Sequence, residues 1–169
     1  NPIDAVWPDR PAPSEARLVI HDDRYAGQNA AEKRQAMADW LTARKADAVV
    51  LSALDSIAWT FNIRGKDVAR TPVALAYAVV HADATADLYV APEKIDEALV
   101  QHLGNAVRVH PRADFTDALK AFSGKAVAAD PERAVAAIFE ALEAGGAKVL
   151  PLRDPAVLPK AIKNSVEIA

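Results

Sequence analysis

The residue types best suited to binding or chemistry are concentrated between Leu54 and Asp67. This stretch combines aromatic and polar side chains around a glycine turn: Trp59, Phe61, Asn62, Arg64, Gly65 and Asp67. The spacing favours a bidentate ion pair between Arg64 and Asp67 that would pin the turn. Two interpretations stay open. Either the aromatic side chains fill the core and the polar ones close the loop, or the loop rims a cleft of a neighbouring domain, as binding loops on rigid scaffolds often do.

The four histidines do not form a metal-binding motif. His21, His81, His102 and His110 contain no H-E-x-x-H pattern and no i, i+4 pair, the spacing that brings two imidazoles to one metal on a helix. His102 is predicted at a helix C-terminus, where an imidazolium complements the helix dipole. All four are predicted to be structural or solvent-facing, with no metal bound.

Other catalytic patterns are also missing from the sequence. There is no phosphate-binding glycine loop and no G-x-S-x-G elbow, and Gly145-Gly146 is placed to end a helix where a phosphate loop would have to start one. The serines that could serve as nucleophiles have no base nearby in sequence, and Asp22-Asp23 is typical of a solvated turn. The chain is therefore predicted to carry no complete active site and no catalytic residue.

Composition limits the classes of protein that the chain can belong to. Its 169 residues are 51% hydrophobic, which fits one packed domain and argues against disorder. The net charge of -3, with both signs interspersed, excludes a basic footprint for nucleic acid. No apolar run approaches the roughly 20 residues of a membrane span. Cysteine is absent, which excludes disulfides and thiolate chemistry and fits a reducing compartment.

Proline and capping signals organise the first half of the chain. Residues 1–13 contain four prolines and are predicted to form an extended linker leading into the domain, because proline restricts both its own backbone and that of the residue before it. Asn29 is the predicted cap of the first long helix. The elements predicted after the linker are an edge strand or strap at 18–20, a helix at 29–45, a strand at 47–51 and a helix at 54–61.

The second half begins with a hairpin and continues with alternating helices and strands. In the last helix, Asp130 is the predicted cap and Pro131 the first helical residue, and Gly145-Gly146 ends it. This order predicts an α/β fold with a mixed β-sheet flanked by helices on both faces. The predicted hairpin strands are 73–80 and 87–90, and the helix-then-strand units are 93–103 with 106–110, 113–122 with 125–129, and 131–144 with 148–150.

Both ends of the sequence indicate a piece of a longer protein. The chain begins with Asn1, and its only methionine is Met37. Near the other end, Asn164 or Ser165 is predicted to cap a helix with Glu167 in its first turn, and the sequence stops before that helix does. We expect a domain at 14–150, and a segment at 151–169 that contains an exit linker and the truncated first helix of a following domain.

Several motifs along the chain point to one family. They are Asn1-Pro2-Ile3-Asp4 with Trp7, Arg10 and Pro11; His21 with Tyr25-Ala26-Gly27 and Lys33; Ala53–Trp59 with Asn62-Ile63-Arg64-Gly65 and Asp67; Pro72-Val73 with Tyr77-Ala78; and Asp154-Pro155, Lys160-Ala161, Lys163-Asn164 and Glu167. Together they resemble the second domain of the three-domain Xaa-Pro aminopeptidases, in the creatinase/prolidase-like M24 peptidase family. The resemblance covers nearly the whole chain. Thr60-Phe61 departs from the leucine-rich residues expected there, which bears on packing.

The resemblance implies a creatinase N-terminal-domain-like fold in a cytoplasmic, homodimeric enzyme that removes the residue preceding proline at a peptide N-terminus. Two divalent metal ions, usually manganese, would activate water in a separate catalytic domain. Their ligands, two Asp, one His and two Glu, cannot be assigned to any residue of this chain. The implied partners are the enzyme's own N-terminal and catalytic domains and the peptide substrate, with no nucleic acid and no membrane.

A hypothesis for the domain itself follows from that resemblance. It would pack against the catalytic domain and narrow access to the metal site, with Asn62, Arg64 and Asp67 as the candidate substrate-access residues. Three alternatives remain: a peptidase-like module that has lost catalysis and binds proteins, as in FACT-type histone chaperones; a freestanding α/β domain that binds a small molecule; and a creatinase or dipeptidase relative.

Overall fold

The computed structural model describes residues 6–9, 12 and 14–168, and its elements follow the alternation expected from the sequence. Most of the linker predicted at 1–13 lies outside the described residues, as do Asn1–Asp4, Arg10 and Pro11. The elements are, in chain order, β1 (Val19–Ile20), α1 (Asp23–Ala26), α2 (Ala30–Ala43), β2 (Ala48–Leu51), α3 (Leu54–Thr60), β3 (Ile63–Arg64), β4 (Tyr77–His81), β5 (Ala86–Val90), α4 (Glu97–Leu103), β6 (Val107–Pro111), α5 (Phe115–Leu119), β7 (Ala126–Ala129), α6 (Ala136–Ala144), β8 (Lys148–Pro151), α7 (Val157–Ala161) and α8 (Ser165–Ile168).

Among the described residues, six strands form the main sheet, in the order β6-β5-β4-β2-β7-β8. β4 pairs antiparallel with both β2 and β5, whereas the β2–β7, β5–β6 and β7–β8 pairs are parallel. The mixed α/β fold predicted from the sequence is thus confirmed. A separate antiparallel pair, β1 with β3, holds the start of the domain against the candidate turn.

Strand alternation divides the core between the two faces of the sheet. On one face, Val49, Leu51 and Leu88 belong to a cluster completed by α2, α3 and α4. On the other, Val50 and Val79 pack with side chains of α5 and α6. Because successive side chains of a strand point to opposite faces, strands buried on both sides are apolar throughout, which explains the continuous apolar runs in the sequence.

The first long helix, α2, and the hairpin lie close to their predicted positions. Asn29 caps α2 as expected, its Oδ1 accepting a hydrogen bond from the Glu32 amide at 2.8 Å. β4 and β5 form the predicted hairpin, although β4 begins at Tyr77 and not at residue 73. The connection between them contains Ala84 in the left-handed conformation, with φ 65°.

Three helices in the second half are shorter than predicted. The segments at 93–103 and 113–122 each begin with a turn of 3-10 helix, and only 97–103 and 115–119 are α-helical. The predicted start of the last helix is wrong, because α6 begins at Ala136. Asp130 is 3% exposed, and its carboxylate accepts from the amides of Glu132 and Asp154, each at 2.9 Å. The carboxylate therefore ties β7 to the segment after β8.

No helix within the described ranges combines the length and the apolar character that crossing a bilayer requires.

Candidate functional site

Asn62 is at the centre of the candidate site, in the turn between α3 and β3. Its backbone is left-handed, with φ 50°, a conformation that Asn adopts more readily than most residues. Its side chain is buried, and both the nitrogen and the oxygen of its amide form hydrogen bonds. Nδ2 donates to Asp23 Oδ1 at 2.9 Å and to the Gln28 carbonyl at 2.8 Å, and Oδ1 accepts from Lys33 Nζ at 2.6 Å. One amide thus joins the turn to α1, to the following loop and to α2.

Lys33 is a buried cation that completes this network. Its side chain projects from α2, the residue is 2% exposed, and Nζ also donates to the Trp59 carbonyl at 3.0 Å. The same nitrogen lies 4.4 Å from the centroid of the Trp59 ring, a favourable position for a cation. Burial lowers the pKa of Lys33 to about 8; the Arg64 charge acts in the same direction, while Asp23 and Glu167 oppose it.

Arg64 does not form the predicted ion pair with Asp67. Its Nη1 donates to the carbonyls of Ala58 and Ile63 at 3.1 and 2.9 Å, so the guanidinium closes the C-terminal end of α3. Burial lowers the pKa of Arg64, and the nearby Glu167 carboxylate acts to raise it. Arg64 is only half-buried, and the residue lines an open cleft.

Asp67 instead pairs with Lys94, which the fold brings to it from beyond β5. Its other carboxylate oxygen accepts from the Leu75 amide at 2.7 Å. The predicted Arg64–Asp67 pair is wrong because Lys94, which is buried and distant in sequence, pairs with the Asp67 carboxylate. Asp67 therefore pins the loop after β3, as expected for this residue, but through another cation.

His21 lies beside this cluster and is half-buried. Burial lowers its pKa, and the positive charges of Arg64 and Lys33 lower it further. The solvated turn predicted at Asp22-Asp23 is the start of α1, where Asp22 Oδ1 accepts from the Arg24 amide at 2.9 Å. Sequence inspection did not connect Asp23 to Asn62, because the two are 39 residues apart.

The segment after β8 packs against the candidate site through Asn164. Of the two predicted caps, Asn164 and Ser165, Asn164 caps α8: its Oδ1 accepts from the Val166 and Glu167 amides at 3.0 and 3.1 Å. Glu167 returns a bond to the Asn164 amide at 2.9 Å, which makes a reciprocal capping box. Asn164 Nδ2 also donates to the Ala26 carbonyl at 2.7 Å. A Cβ on Gly27, whose φ is 67°, would lie 2.5 Å from Asn164 Cγ, so this contact requires glycine.

α7 makes a second attachment of the same segment. Lys160 Nζ donates to Asp55 Oδ2 at 2.6 Å and to Ser56 Oγ at 2.8 Å, which fixes α7 against the start of α3. Ala156, one residue before α7, is completely buried. The residues after β8 are thus held against the same helix that leads into the candidate turn.

A second polar cluster, centred on Asp87 of β5, was missed at the sequence level. Asp87 accepts four hydrogen bonds: from His81 Nε2 at 2.7 Å, from Arg108 Nε and Nη2 at 2.7 and 3.0 Å, and from His110 Nε2 at 2.8 Å. Burial alone would raise the pKa of Asp87, but these hydrogen bonds outweigh it and hold the pKa well below its usual range. The missed signal is the i, i+2 spacing of Arg108 and His110, which places both on one face of a strand.

The described residues do not assemble a metal centre. Within residues 6–9, 12 and 14–168, no group of three or more His, Asp and Glu side chains could hold a metal ion. His81 and His110 bond to one carboxylate, and His102 Nε2 lies 2.9 Å from the Phe61 carbonyl oxygen. Residues present in this part of the chain therefore do not fit the two-metal ligand set that the resemblance assigns to a catalytic domain.

Comparison with known proteins places this architecture in a family. The family described as Creatinase/Prolidase N-terminal domain matches residues 9–167. The chain belongs to the creatinase/prolidase N-terminal domain family. Solved members confirm the fold: the N-terminal domain of the cytoplasmic peptidase PepQ from Mycobacterium tuberculosis superposes with a TM-score of 0.54 at 16% identity, over 75% of this chain and 95% of that one.

More similar relatives of this creatinase/prolidase N-terminal domain carry aminopeptidase names. A Probable Xaa-Pro aminopeptidase P from Aspergillus clavatus is 38% identical over all of this chain, which covers 27% of that protein. A protein of the same name from Coccidioides posadasii is 36% identical over 99% of the chain and 29% of its own length. The chain thus spans little more than a quarter of these relatives.

A solved X-prolyl aminopeptidase from Caenorhabditis elegans, described as a cytosolic enzyme with a di-nuclear active site, has a TM-score of 0.87 at 28% identity. The match covers 99% of this chain and 28% of that one.

Proposed function

We propose that this chain is the non-catalytic second domain of a metal-dependent Xaa-Pro aminopeptidase, which releases an N-terminal residue preceding proline. The supporting observation is the match of its full length to relatives that bear this name. The proposal includes a domain at 14–150 between a leading linker at 1–13 and a junction segment at 151–169. It also includes a catalytic domain elsewhere that holds two divalent ions, manganese by preference.

The same proposal places the parent enzyme in the cytosol as a homodimer that acts on peptides. Support for the location and for the two metal ions comes from the C. elegans relative, which is described as cytosolic and di-nuclear. The homodimer follows from the family resemblance and is to be tested by measuring the mass of the intact enzyme in solution.

We further propose that the domain narrows access to the catalytic site through the turn that contains Asn62, Arg64 and Asp67. The attachment of the proposed junction segment to α1, which Asp23 joins to Asn62 in this turn, supports the idea. Asn164 bonds to the Ala26 carbonyl at 2.7 Å, and the Glu167 carboxylate lies close enough to act on the pKa of Arg64. In this arrangement Asn62 and Asp67 hold the turn in place, and Arg64 is the residue able to meet a substrate.

The test is steady-state kinetics of the intact enzyme with Arg64→Ala and Asp67→Asn, using Xaa-Pro peptides of increasing length. We expect KM for long peptides to change several-fold while kcat for the shortest substrate stays close to wild type, because the catalytic groups are untouched. Lys148→Ala, at an exposed position on β8, is the matched control. Unchanged KM values and unchanged dimer stability in both variants would remove the access role.

A further inference from the structure

An open cleft lies between β1, β3 and the loop that follows β3. Its volume is about 520 Å³, and three cations line it together with apolar side chains: Arg64, Lys66, Arg70, Val19, Val68 and Pro72. Val19 is 53% exposed and Val68 37% exposed, so the apolar part of the cleft is open to solvent. Cationic and apolar groups side by side can bind a ligand that carries both negative charge and apolar surface.

The loop that forms the cleft is held in one conformation. The amides of Gly65 and Asp67 donate to the carbonyls of Pro72 and Val73 at 3.2 and 3.1 Å, and Thr71 donates to Val68 at 3.2 Å. A Cβ on Gly65 would lie 2.7 Å from the Ala74 amide nitrogen, so glycine permits this close approach. A preformed loop loses little conformational entropy when a ligand binds.

Neighbouring carboxylates do not neutralise Lys66 and Arg70 of the cleft. No acidic residue lines the cleft, and Asp67, the one carboxylate of the loop, pairs with Lys94. In the part of the chain that the structure describes, neither Lys66 nor Arg70 takes part in an ion pair. This positive charge is local, since the whole chain carries a net charge of -3.

We propose that this cleft binds an acidic segment of a partner polypeptide, whose carboxylates meet Arg64, Lys66 and Arg70 while an apolar side chain packs on Val19 and Val68. A polypeptide fits better than a small anion, because the cations lie along an apolar-lined cleft. Three cations on a chain of net negative charge are too few for nucleic acid, whose binding requires a larger basic surface. Binding at this cleft does not depend on peptidase activity.

Fluorescence anisotropy of the full 169-residue chain with two short labelled peptides tests the proposal. One peptide alternates Glu with Leu, and the other replaces each Glu by Gln. We expect measurable binding of the Glu peptide only, and weakening as salt is raised, because exposed charges are screened. The double variant Lys66→Glu/Arg70→Glu should reduce affinity by about tenfold or more.

The matched control is Lys148→Glu/Lys163→Glu, which changes the net charge equally at two exposed positions outside the cleft and should change affinity less than about twofold. Arg70→Gly is a second test variant that preserves the fold, because glycine suits the φ of 64° at this position; it should also weaken binding.

The proposal is overturned by no binding of the Glu peptide, by equal binding of the Gln peptide, or by equal losses of affinity in the cleft and control variants. Inorganic phosphate could instead displace the labelled peptide when the phosphate charge is as concentrated as the carboxylate charge of the peptide. That result would assign the cleft to small anions.

Discussion

The burial of charged residues in this domain depends on partners that lie far away in sequence. Lys33 is an ammonium group with little access to water, and it persists because Asn62, the Trp59 carbonyl and the Trp59 ring all face it. The sequence predicted a helix at 29–45 correctly but gave no reason to bury Lys33. Its burial depends on the turn at Asn62, 29 residues later.

Replacing Lys33 by Met should lower the free energy of unfolding by about 2 kcal/mol or more, because two buried acceptors lose their donor. A pH effect accompanies this loss. The folded pKa of about 8 lies below the ordinary value of 10.5, so between these values the unfolded chain binds the extra proton and stability rises with pH. Urea unfolding of wild type should show this rise, by at most about 1.4 kcal/mol per pH unit, and Lys33→Met should lack it.

Met is a suitable replacement for Lys33 because its side chain has a similar volume and no charge. As a control, Lys45→Met removes an exposed cation at the end of α2 and should leave the pH profile unchanged. A wild-type profile that stays parallel to that of Lys33→Met across this range would contradict the assignment.

Asp87 should give a second pH dependence of the same sign, but at acid pH. Its pKa in the folded protein is held below its ordinary value, so its stabilising effect is complete above the unfolded pKa of about 4 and disappears as the pH falls further. Asp87→Asn should lower the free energy of unfolding at pH 7 by about 1–3 kcal/mol and reduce the acid-induced loss. Thermal melts from pH 7 to pH 3 measure both effects.

Asp39→Asn, on the exposed surface of α2, is the matched control for Asp87. If the two Asn variants lose stability equally on acidification, the low pKa of Asp87 in the folded protein is refuted.

At the scale of elements, local signals located the helices and strands, and tertiary contacts decided where several of them end. Asp130-Pro131 is typical of a helix start when only local sequence is considered. In the structure the Asp154 amide donates to the Asp130 carboxylate, and α6 starts five residues after Pro131. The Arg64–Asp67 pair failed for the same reason, since Lys94 reaches Asp67. Asn29 and Asn164 were predicted correctly because their capping partners lie within three residues.

The attachment of α8 can be tested at Gly27. Gly27→Ala forces a Cβ into Asn164, which is already held by bonds to Ala26 and to its own helix, so we expect α8 to detach from α1. Hydrogen exchange at the amides of Val166 and Glu167 should accelerate by about tenfold or more, as expected when a local contact is lost.

Gly124→Ala is the matched control, because its φ of 71° imposes the same backbone cost while nothing lies within 4 Å of the added methyl. Both variants should lose about 1 kcal/mol to backbone strain, but only Gly27→Ala should affect the exchange of α8. Equal exchange in the two variants would show that Asn164 does not hold the helix.

For the whole molecule, the order of elements predicted the mixed sheet and its two covered faces, because alternation of apolar runs is a property of the chain itself. Apart from the β4–β5 hairpin, which strands become neighbours was not predicted. β2 and β7 lie side by side although α3, the hairpin, α4, β6 and α5 come between them in sequence. That pairing depends on the packing of α5 and α6 against one face, which no local pattern encodes.

The 169-residue chain on its own is predicted to be inactive as a peptidase. Incubation with manganese and an Xaa-Pro peptide, followed by chromatography, should give no hydrolysis above the buffer blank, because the catalytic ligands are proposed to lie in another domain. Peptide hydrolysis that a metal chelator abolishes would refute the proposal that the catalytic ligands lie in another domain.

The pairing pattern of the sheet has a consequence for how the chain acquires its structure. β4 and β5 are separated only by residues 82–85, so this hairpin closes the shortest loop of the sheet and forms at the least entropic cost. β7 and β8 can add to β2 only after most of the chain has been synthesised. The turn around Ala84 is therefore where a substitution should alter the rate of folding most, whereas changes in β8 should act mainly on the rate of unfolding.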